Sequence, residues 1–530
     1  MSLLIFGGCI DSEDELKSEL LAGNSPGESL QLSSGTADFS TYVALGNSST
    51  AGFADGALYP QGQTHSYPSM LASQFTLAGG GSFNFPDISS GNGFGGLNSD
   101  NSIRGKSFID IASALANPAN AIQFTSGSAL NPSSQSSINN FGVPGARIID
   151  AVTPGYGNFN PFYGAFQSSA TGSMLGDAVA AGGTFFSVWL GSNDVLRFAI
   201  AGGEETDDDS TEGNQENLLN PDLLTPVSSF SDALSGILDA LSANGANGII
   251  VNIPPVTILP YFQIVTQLSG GVNLIPLDAP TASVVNDGYS DYNDGLDAAV
   301  LFGEITQEEA NRRKIMFAAG ANPPVITDES LTKADVSLAF GAPPGSVILP
   351  KLRHAEATDL FPLPALTVIG QLADPGDPTS VYGVGVPVPD KHTLTLAEQA
   401  AIITRYATFN AIIAGQVAER SNLSMLDVGV QFADIFGLSA QQAALLGLSA
   451  EAQAAADGVP GTMVDGYNMV ALSLGDDLFN SLWSSDGIHQ NPRGSALIAN
   501  QMIRIINEAH GSELREVDVL NFAALNAKLP

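Results

Sequence analysis

A chain of 530 residues with 18 basic against 54 acidic side chains has a formal charge of −36, which excludes most nucleic-acid binders and sets it against an anionic membrane surface. At 44 % hydrophobic residues it is too apolar to remain disordered, and a single cysteine, Cys9, excludes an internal disulfide framework and any cysteine-based metal site. No run of 18 apolar residues occurs, so no segment reads as a transmembrane helix, while 57 glycines and 30 prolines predict abundant loops.

The chain opens with the apolar stretch Met1–Phe6, then Gly7, Gly8 and Cys9, then the acidic run Asp11–Glu15. This start resembles the lipobox of a bacterial lipoprotein, in which two small residues precede the cysteine that is lipidated after signal cleavage. Phe6 departs from the usual pattern. The resemblance implies that Cys9 is a lipidation site and that the protein is exported. It would be a cell-envelope lipoprotein, outer membrane by expectation, or extracellular, touching a membrane only through its anchor. Residues 16–37 mix Ser, Gly, Glu and Leu without period and read as a linker, so residues 1–37 form an N-terminal tether.

From residue 38 the texture changes. Thr41–Leu45, Thr184–Leu190, Gly248–Ile253 and Leu423–Val428 are short apolar runs of the kind buried on both faces of a sheet. Helical patterns lie between and after them, over Ser231–Ala243, Ala282–Leu301, Leu396–Arg420 and Pro492–Ala509. Thr306 and Glu309 have capping-box spacing and predict one more helix start. Strands alternating with helices predict an α/β fold, a doubly wound parallel sheet covered on both faces. Two stretches break the rhythm: residues 202–222, with Glu204, Glu205 and Asp207–Asp209, and the Pro- and Gly-rich residues 315–390. Both read as surface insertions. The acidic run lacks the spacing of a calcium loop, since Leu219 falls where the bidentate Glu belongs.

Four junctions carry the chemistry. The first strand runs into Gly46-Asn47-Ser48-Ser49, placing Ser48 at the carboxyl edge of the sheet, where open α/β sheets bind ligands. A simple helix cap would use the same residues. Asn140–Arg147 contains Gly142 and Gly145, and the Gly145 N–H is suited to face a developing oxyanion, although Gly-x-x-Gly is also common in turns. Gly191-Ser192-Asn193-Asp194 ends another strand and offers the Asn193 amide to the same point. Asp486 and His489, three residues apart in a tight turn, can touch, so the carboxylate holds one ring nitrogen and leaves the other as a base. Asn491 and Pro492 then open the last long helix.

With these four blocks in this order, the chain resembles the SGNH hydrolase superfamily, the GDSL-type esterases and lipases, over roughly residues 38–511. The resemblance implies a three-layer αβα sandwich with a five-stranded parallel sheet of flavodoxin-like type, carrying long insertions near 202–222 and 257–390, and a C-terminal extension over 512–530. It implies Ser48 as nucleophile, His489 as base, Asp486 as orienting acid, and Ser48, Gly145 and Asn193 as the oxyanion hole. It implies no metal and no cofactor. The family's first block is usually Gly-Asp-Ser-Leu; here Asn47 replaces the Asp, keeping an acceptor and losing a charge, and Ser49 replaces the Leu. Gly23–Gly27 matches a Gly-x-Ser-x-Gly elbow, but no strand precedes it and Pro26 follows its serine.

The expected activity is hydrolysis of carboxylic esters, the partner being a small-molecule ester. The apolar stretches Thr257–Leu268 and Leu360–Leu372 are candidate walls for an acyl site and favour lipid or medium-chain acyl esters. Carbohydrate O-acetyl esters are the alternative substrate, and a non-catalytic ligand-binding lipoprotein on the same fold is the alternative function.

Overall fold

A computed structural model describes residues 31–110, 113, 120, 122–133, 137–203, 220–464, 467–470, 480–524 and 527–528. Cys9, the Gly23–Gly27 motif and residues 204–219 of the acidic stretch lie outside the described residues.

Five apolar runs form the central strands: β1 (Tyr42–Gly46), β2 (Asn140–Gly142), β3 (Phe185–Trp189), β4 (Asn247–Val251) and β5 (Leu423–Leu426). β1 and β3 are buried at every residue, as expected of strands with no water-facing side. All four pairings are parallel, in the order β2-β1-β3-β4-β5. The five-stranded parallel sheet of an α/β protein is therefore present. Strand order reverses between β1 and β3, where the loops leaving their carboxyl ends diverge and open a crevice. Register puts Gly46 level with Gly142 on one side and Trp189 on the other, so three loops depart from one line across the sheet edge.

Eight helices bear on the site: α1 (Ser48–Ala51), α2 (Tyr67–Leu77), α3 (Ile148–Val152), α4 (Asn193–Ile200), α5 (Val227–Ser242), α6 (Leu396–Ala418), α7 (Val428–Ile435) and α8 (Pro492–His510). α5 packs on α3 and α6, and its Phe230 stacks on Phe409 of α6 at 3.8 Å. α8 packs on α2 and β5 through a stripe that includes Ala496, Ala499, Ile503 and Ile506, at helical spacing. Asn491 caps α8 by accepting the Gly494 N–H at 3.0 Å, and Pro492 occupies the first turn, as the sequence predicts. Beyond α8, Leu514 and Val519 join the main apolar core. Among the described residues no helix is long and apolar enough to cross a membrane.

The segment expected as one helix over Ala282–Leu301 is two, Ala279–Gly288 and Ser290–Leu301. Asp287 and Gly288 are weak helix formers, and the hydroxyl of Tyr289 at the break donates to the Val384 carbonyl at 2.6 Å. Thr306 caps the next helix by accepting the Glu309 N–H at 3.1 Å. The reciprocal half of the box is absent, because Glu309 accepts instead from the Thr332 N–H and hydroxyl at 2.9 and 2.8 Å. Apolar clusters around Leu296 and Leu349, and around Ile315 and Val325, give this Pro- and Gly-rich region cores of its own. At its base the fully buried Arg353 donates to Asp328 at 2.5 Å and to both oxygens of Asp359 at 2.5 and 2.9 Å, so its charge is compensated where water is excluded.

Candidate active site

Gly46 ends β1 where a Cβ would lie 2.0 Å from Thr50 Oγ1 and 2.8 Å from the Trp189 carbonyl, so only glycine lets the chain turn here. Asn47 caps α1, its side-chain oxygen accepting the Ser49 N–H at 3.0 Å. The acceptor expected of this position survives the exchange of Asp for Asn, and the capping role falls to Asn47 rather than to Ser48. Ser48 is the first residue of α1. It is only 8 % exposed and lines two cavities at the sheet edge.

Ser48 Oγ lies 2.8 Å from His489 Nε2, and His489 Nδ1 lies 2.9 Å from Asp486 Oδ2. An ionised carboxylate only accepts, so Nδ1 carries the ring proton and Nε2 presents a lone pair to the serine hydroxyl. Asp486 Oδ1 accepts the N–H groups of Ile488 and His489 at 2.8 and 2.9 Å, and Oδ2 also accepts the Gly56 N–H at 2.7 Å. Burial by itself raises an aspartate's pKa; here His489 and the backbone donors of His489 and Ile488 outweigh it and hold Asp486 at about 2. The neighbouring Ser49 donates to Gln490 Oε1 at 3.1 Å and makes no bond to the histidine.

The other two blocks meet at the same edge. Gly145 has φ +79°, the left-handed region that favours glycine, and its N–H has no acceptor among the described residues. Asn193 Nδ2 donates one hydrogen to the Ala146 carbonyl at 2.9 Å, which fixes the amide and leaves its second hydrogen for a ligand. Asp194, wholly buried, accepts the Ile148 N–H at 2.9 Å and so ties the Asn193 loop to the start of α3. Burial pushes its carboxyl up to about 7. Ser48, Gly145, Asn193, Asp486 and His489, all expected from the sequence, are thus brought together. His354, one of the remaining histidines, donates from Nδ1 to the Pro323 carbonyl at 2.9 Å and accepts the Met316 N–H at Nε2 at 3.1 Å, and takes no part.

Two cavities share Ser48, Asn193 and His489 in their walls. One is narrow and largely apolar, running among Val256, Leu259, Phe432 and Ile435 of α7, Trp483, and Ile498 of α8, with a cavity volume of about 60 Å³. The other is a wider, open cleft bordered by Phe53, Gly145, Arg197, Asp222, Asp390 and Lys391. Of the two stretches expected to wall an acyl site, Thr257–Leu268 contributes Leu259 to the narrow apolar cavity, whereas Leu360–Leu372 lines neither one. Its Phe361 and Ala365 are buried in the main core instead. The walls supplied by α7 and Trp483 were not anticipated, since an amphipathic stripe in sequence looks the same whether it faces a core or a cavity.

Beside the open cleft, Glu329, Asp390 and Glu398 bring carboxylate oxygens within 4.8 Å of one another. Glu398 is committed to the cap of α6, accepting the Thr395 N–H at 2.5 Å, and burial together with Asp390 lifts its carboxyl to about 9. A proton on Glu398 relieves this repulsion.

Comparison of the chain with family models, curated proteins and solved structures finds no match. The chemistry of the site rests on its own geometry.

Proposed function

We propose that the chain is a serine carboxylic-ester hydrolase of the SGNH type, on a three-layer αβα fold, acting through Ser48, His489 and Asp486. The observation that carries this reading is the relay of 2.8 and 2.9 Å from the serine hydroxyl through the imidazole to the carboxylate, opening onto the N–H groups of Ser48 and Gly145, which have no acceptor among the described residues, and the second amide hydrogen of Asn193. In this mechanism Ser48 Oγ attacks the ester carbonyl while His489 Nε2 takes its proton, and Asp486 stabilises the imidazolium. The carbonyl oxygen becomes an oxyanion held by the N–H groups of Ser48 and Gly145 and the free hydrogen of Asn193. His489 returns the proton to the departing alcohol, leaving an acyl-Ser48 ester. Water, deprotonated by the same nitrogen, then releases the acid and regenerates the serine. No step draws on a metal or cofactor. Asn193→Ala is expected to lower kcat by about 10²–10³-fold with a smaller change in KM, since the bond strengthens as charge develops on the oxygen. Steady-state kinetics on one ester reads this directly, and an unchanged kcat would remove Asn193 from the oxyanion hole.

The apolar lining of the narrow cavity beside Ser48 favours a medium-chain or lipid acyl group over acetyl, with the alcohol portion in the open cleft. Charged residues along that cleft are the feature that favours the second reading, an O-acetyl ester of a polar carbohydrate. Hydrolysis of p-nitrophenyl esters from acetate to palmitate separates the two. The expected optimum lies beyond butyrate, and Ile435→Trp, which fills the cavity, is expected to lower the preferred chain's kcat/KM at least about tenfold and that of acetate far less. An acetate optimum would leave the carbohydrate ester as the better reading, and no hydrolysis by folded protein would favour a non-catalytic ligand-binding protein. The lipobox-like sequence at Cys9 supports an exported, envelope-anchored enzyme.

A further inference from the structure

Seven residues past the serine, the chain makes a tight turn in which Ala54 and Ala57 exchange backbone hydrogen bonds at 3.1 and 3.0 Å. Asp55 at the tip of this turn has φ +52°, a left-handed conformation that few non-glycine residues adopt, and it is only 6 % exposed. A buried, strained carboxylate calls for an explanation. Every polar group of Asp55 is engaged. Oδ1 accepts both the N–H and the hydroxyl of Ser485, at 3.0 and 2.8 Å, and Oδ2 accepts the Tyr59 hydroxyl at 2.9 Å. Its N–H donates to Ser484 Oγ at 3.0 Å, and its carbonyl accepts the Ser107 N–H and hydroxyl at 2.7 and 2.9 Å. The adjoining Gly56 N–H donates to Asp486 Oδ2.

These bonds join the two halves of the site. Ser48 and Asp55 belong to one short segment, whereas Asp486 and His489 arrive more than 400 residues later on a loop. That loop bonds itself through the Ser484 N–H to the His489 carbonyl, and through the Gly487 N–H to the Ser484 carbonyl, at 2.8 and 3.0 Å. Such internal bonds give the loop its shape without fixing its distance from the serine. Asp55 and Gly56 grip Ser484, Ser485 and Asp486 in turn, alongside the Ser49–Gln490 bond and the Tyr261 N–H to the Gly487 carbonyl at 2.9 Å.

We propose that Asp55 is a positioning residue for ester hydrolysis: it clamps the Ser484–Ser485 segment so that Asp486 and His489 stay within hydrogen-bond reach of Ser48. The inference rests on the serine-hydrolase reading. Its hydrogen bonds are the operative feature, so Asp55→Asn is the rescuing substitution. The amide oxygen can take the two Ser485 donors, and the amide nitrogen can donate to Tyr59, whose hydroxyl can accept. Asp55→Ala removes all three bonds.

The test compares wild type, Asp55→Ala, Asp55→Asn and Ser48→Ala on one p-nitrophenyl ester. Proton NMR of the His489 Nδ1–H, hydrogen-bonded to Asp486, is recorded for each. Asp55→Ala is expected to lower kcat about 100-fold with KM within about twofold, the scale associated with roughly 1 Å of misplacement, and to lose the ring-proton signal. Asp55→Asn is expected to keep the signal and to stay within about fivefold in kcat. A folded Asp55→Ala variant with wild-type kcat and an intact signal overturns the proposal. An Asp55→Asn variant as impaired as Asp55→Ala also overturns it, because charge would then matter and not the clamp. If Asp55→Ala does not fold, Ser485→Ala takes its place, with an expected loss of about tenfold and an unchanged kcat as the overturning result. Failure of the underlying reading has a separate signature, a wild type no more active than Ser48→Ala, and the ring-proton signal still decides the clamp in that case.

Discussion

Ser48→Ala is expected to abolish ester hydrolysis, with kcat falling by about 10⁴–10⁶-fold while the fold persists. The side-chain hydroxyl is the group that His489 Nε2 bonds among the described residues, and a methyl group can neither lose a proton nor form the acyl intermediate. Stability should change by about 1 kcal/mol or less, because the substitution removes one hydrogen bond and opens no large cavity. Hydrolysis rates, thermal unfolding and mass spectrometry after treatment with a fluorophosphonate provide the check. Label on Ser48 in wild type and none in the variant is the expected pattern. Persistent hydrolysis, or a label on Ser49, would sink the assignment, since Ser49 bonds Gln490 and has no base beside it.

The second large effect is expected for Asp486→Asn, a loss of about 10⁴-fold in kcat with little change in shape. The carboxylate takes four N–H donors, from Gly56, Ile488 and His489 backbone and from the His489 ring. An asparagine has one acceptor oxygen, so whichever way the amide turns, its NH₂ faces N–H groups. With NH₂ toward Gly56 and the ring, His489 is driven to the tautomer protonated on Nε2, which cannot take the serine proton. If Asp486→Asn retains wild-type kcat across the pH range, the carboxylate has no orienting role.

The same residue sets a pH dependence whose sign is fixed. Asp486 titrates at about 2 in the folded chain, below the ordinary 3.8. A depressed carboxylate contributes stability that is fully present above the unfolded value and is lost as pH falls through the folded one. Its contribution, on the order of 2 kcal/mol, should therefore disappear between about pH 4 and pH 2 in wild type and be missing from Asp486→Asn. Above pH 4 the carboxylate stays ionised, so Asp486 adds no step to the pH dependence there. Acid unfolding of wild type and Asp486→Asn side by side is the check, and equal losses of stability between pH 4 and pH 2 would contradict this assignment.

Much of the candidate site is legible in the chain because each block is a local object. A strand that ends in glycine and enters a helix has the same geometry whatever surrounds it, so Ser48, Gly145 and Asn193 could be named from their own neighbours. Asp486 and His489 could be paired because three residues of a tight turn bring them into contact. The α/β class follows from the alternation of short apolar runs with helical periodicity. The capping box at Thr306 shows the limit of such reasoning: the N-cap bond forms as local chemistry predicts, but Glu309 finds better partners in Thr332, 23 residues away.

What only the tertiary structure decided depends on long-range placement, for which the chain carries no local signal. The strand order and the register that levels Gly46 with Gly142 and Trp189 make one site of three separate loops. The walls of the narrow apolar cavity come from α7, α8 and Trp483, and Leu360, Phe361 and Ala365 of the stretch at Leu360–Leu372 went into the core, because burial rewards apolar surface wherever it finds cover and does not specify a neighbour. Asp55 is the sharpest case. In sequence it is one acidic residue among 54 Asp and Glu; in the folded chain it is buried against Ser485, since a carboxylate withdrawn from water needs donors, and here two of its three arrive 430 residues later.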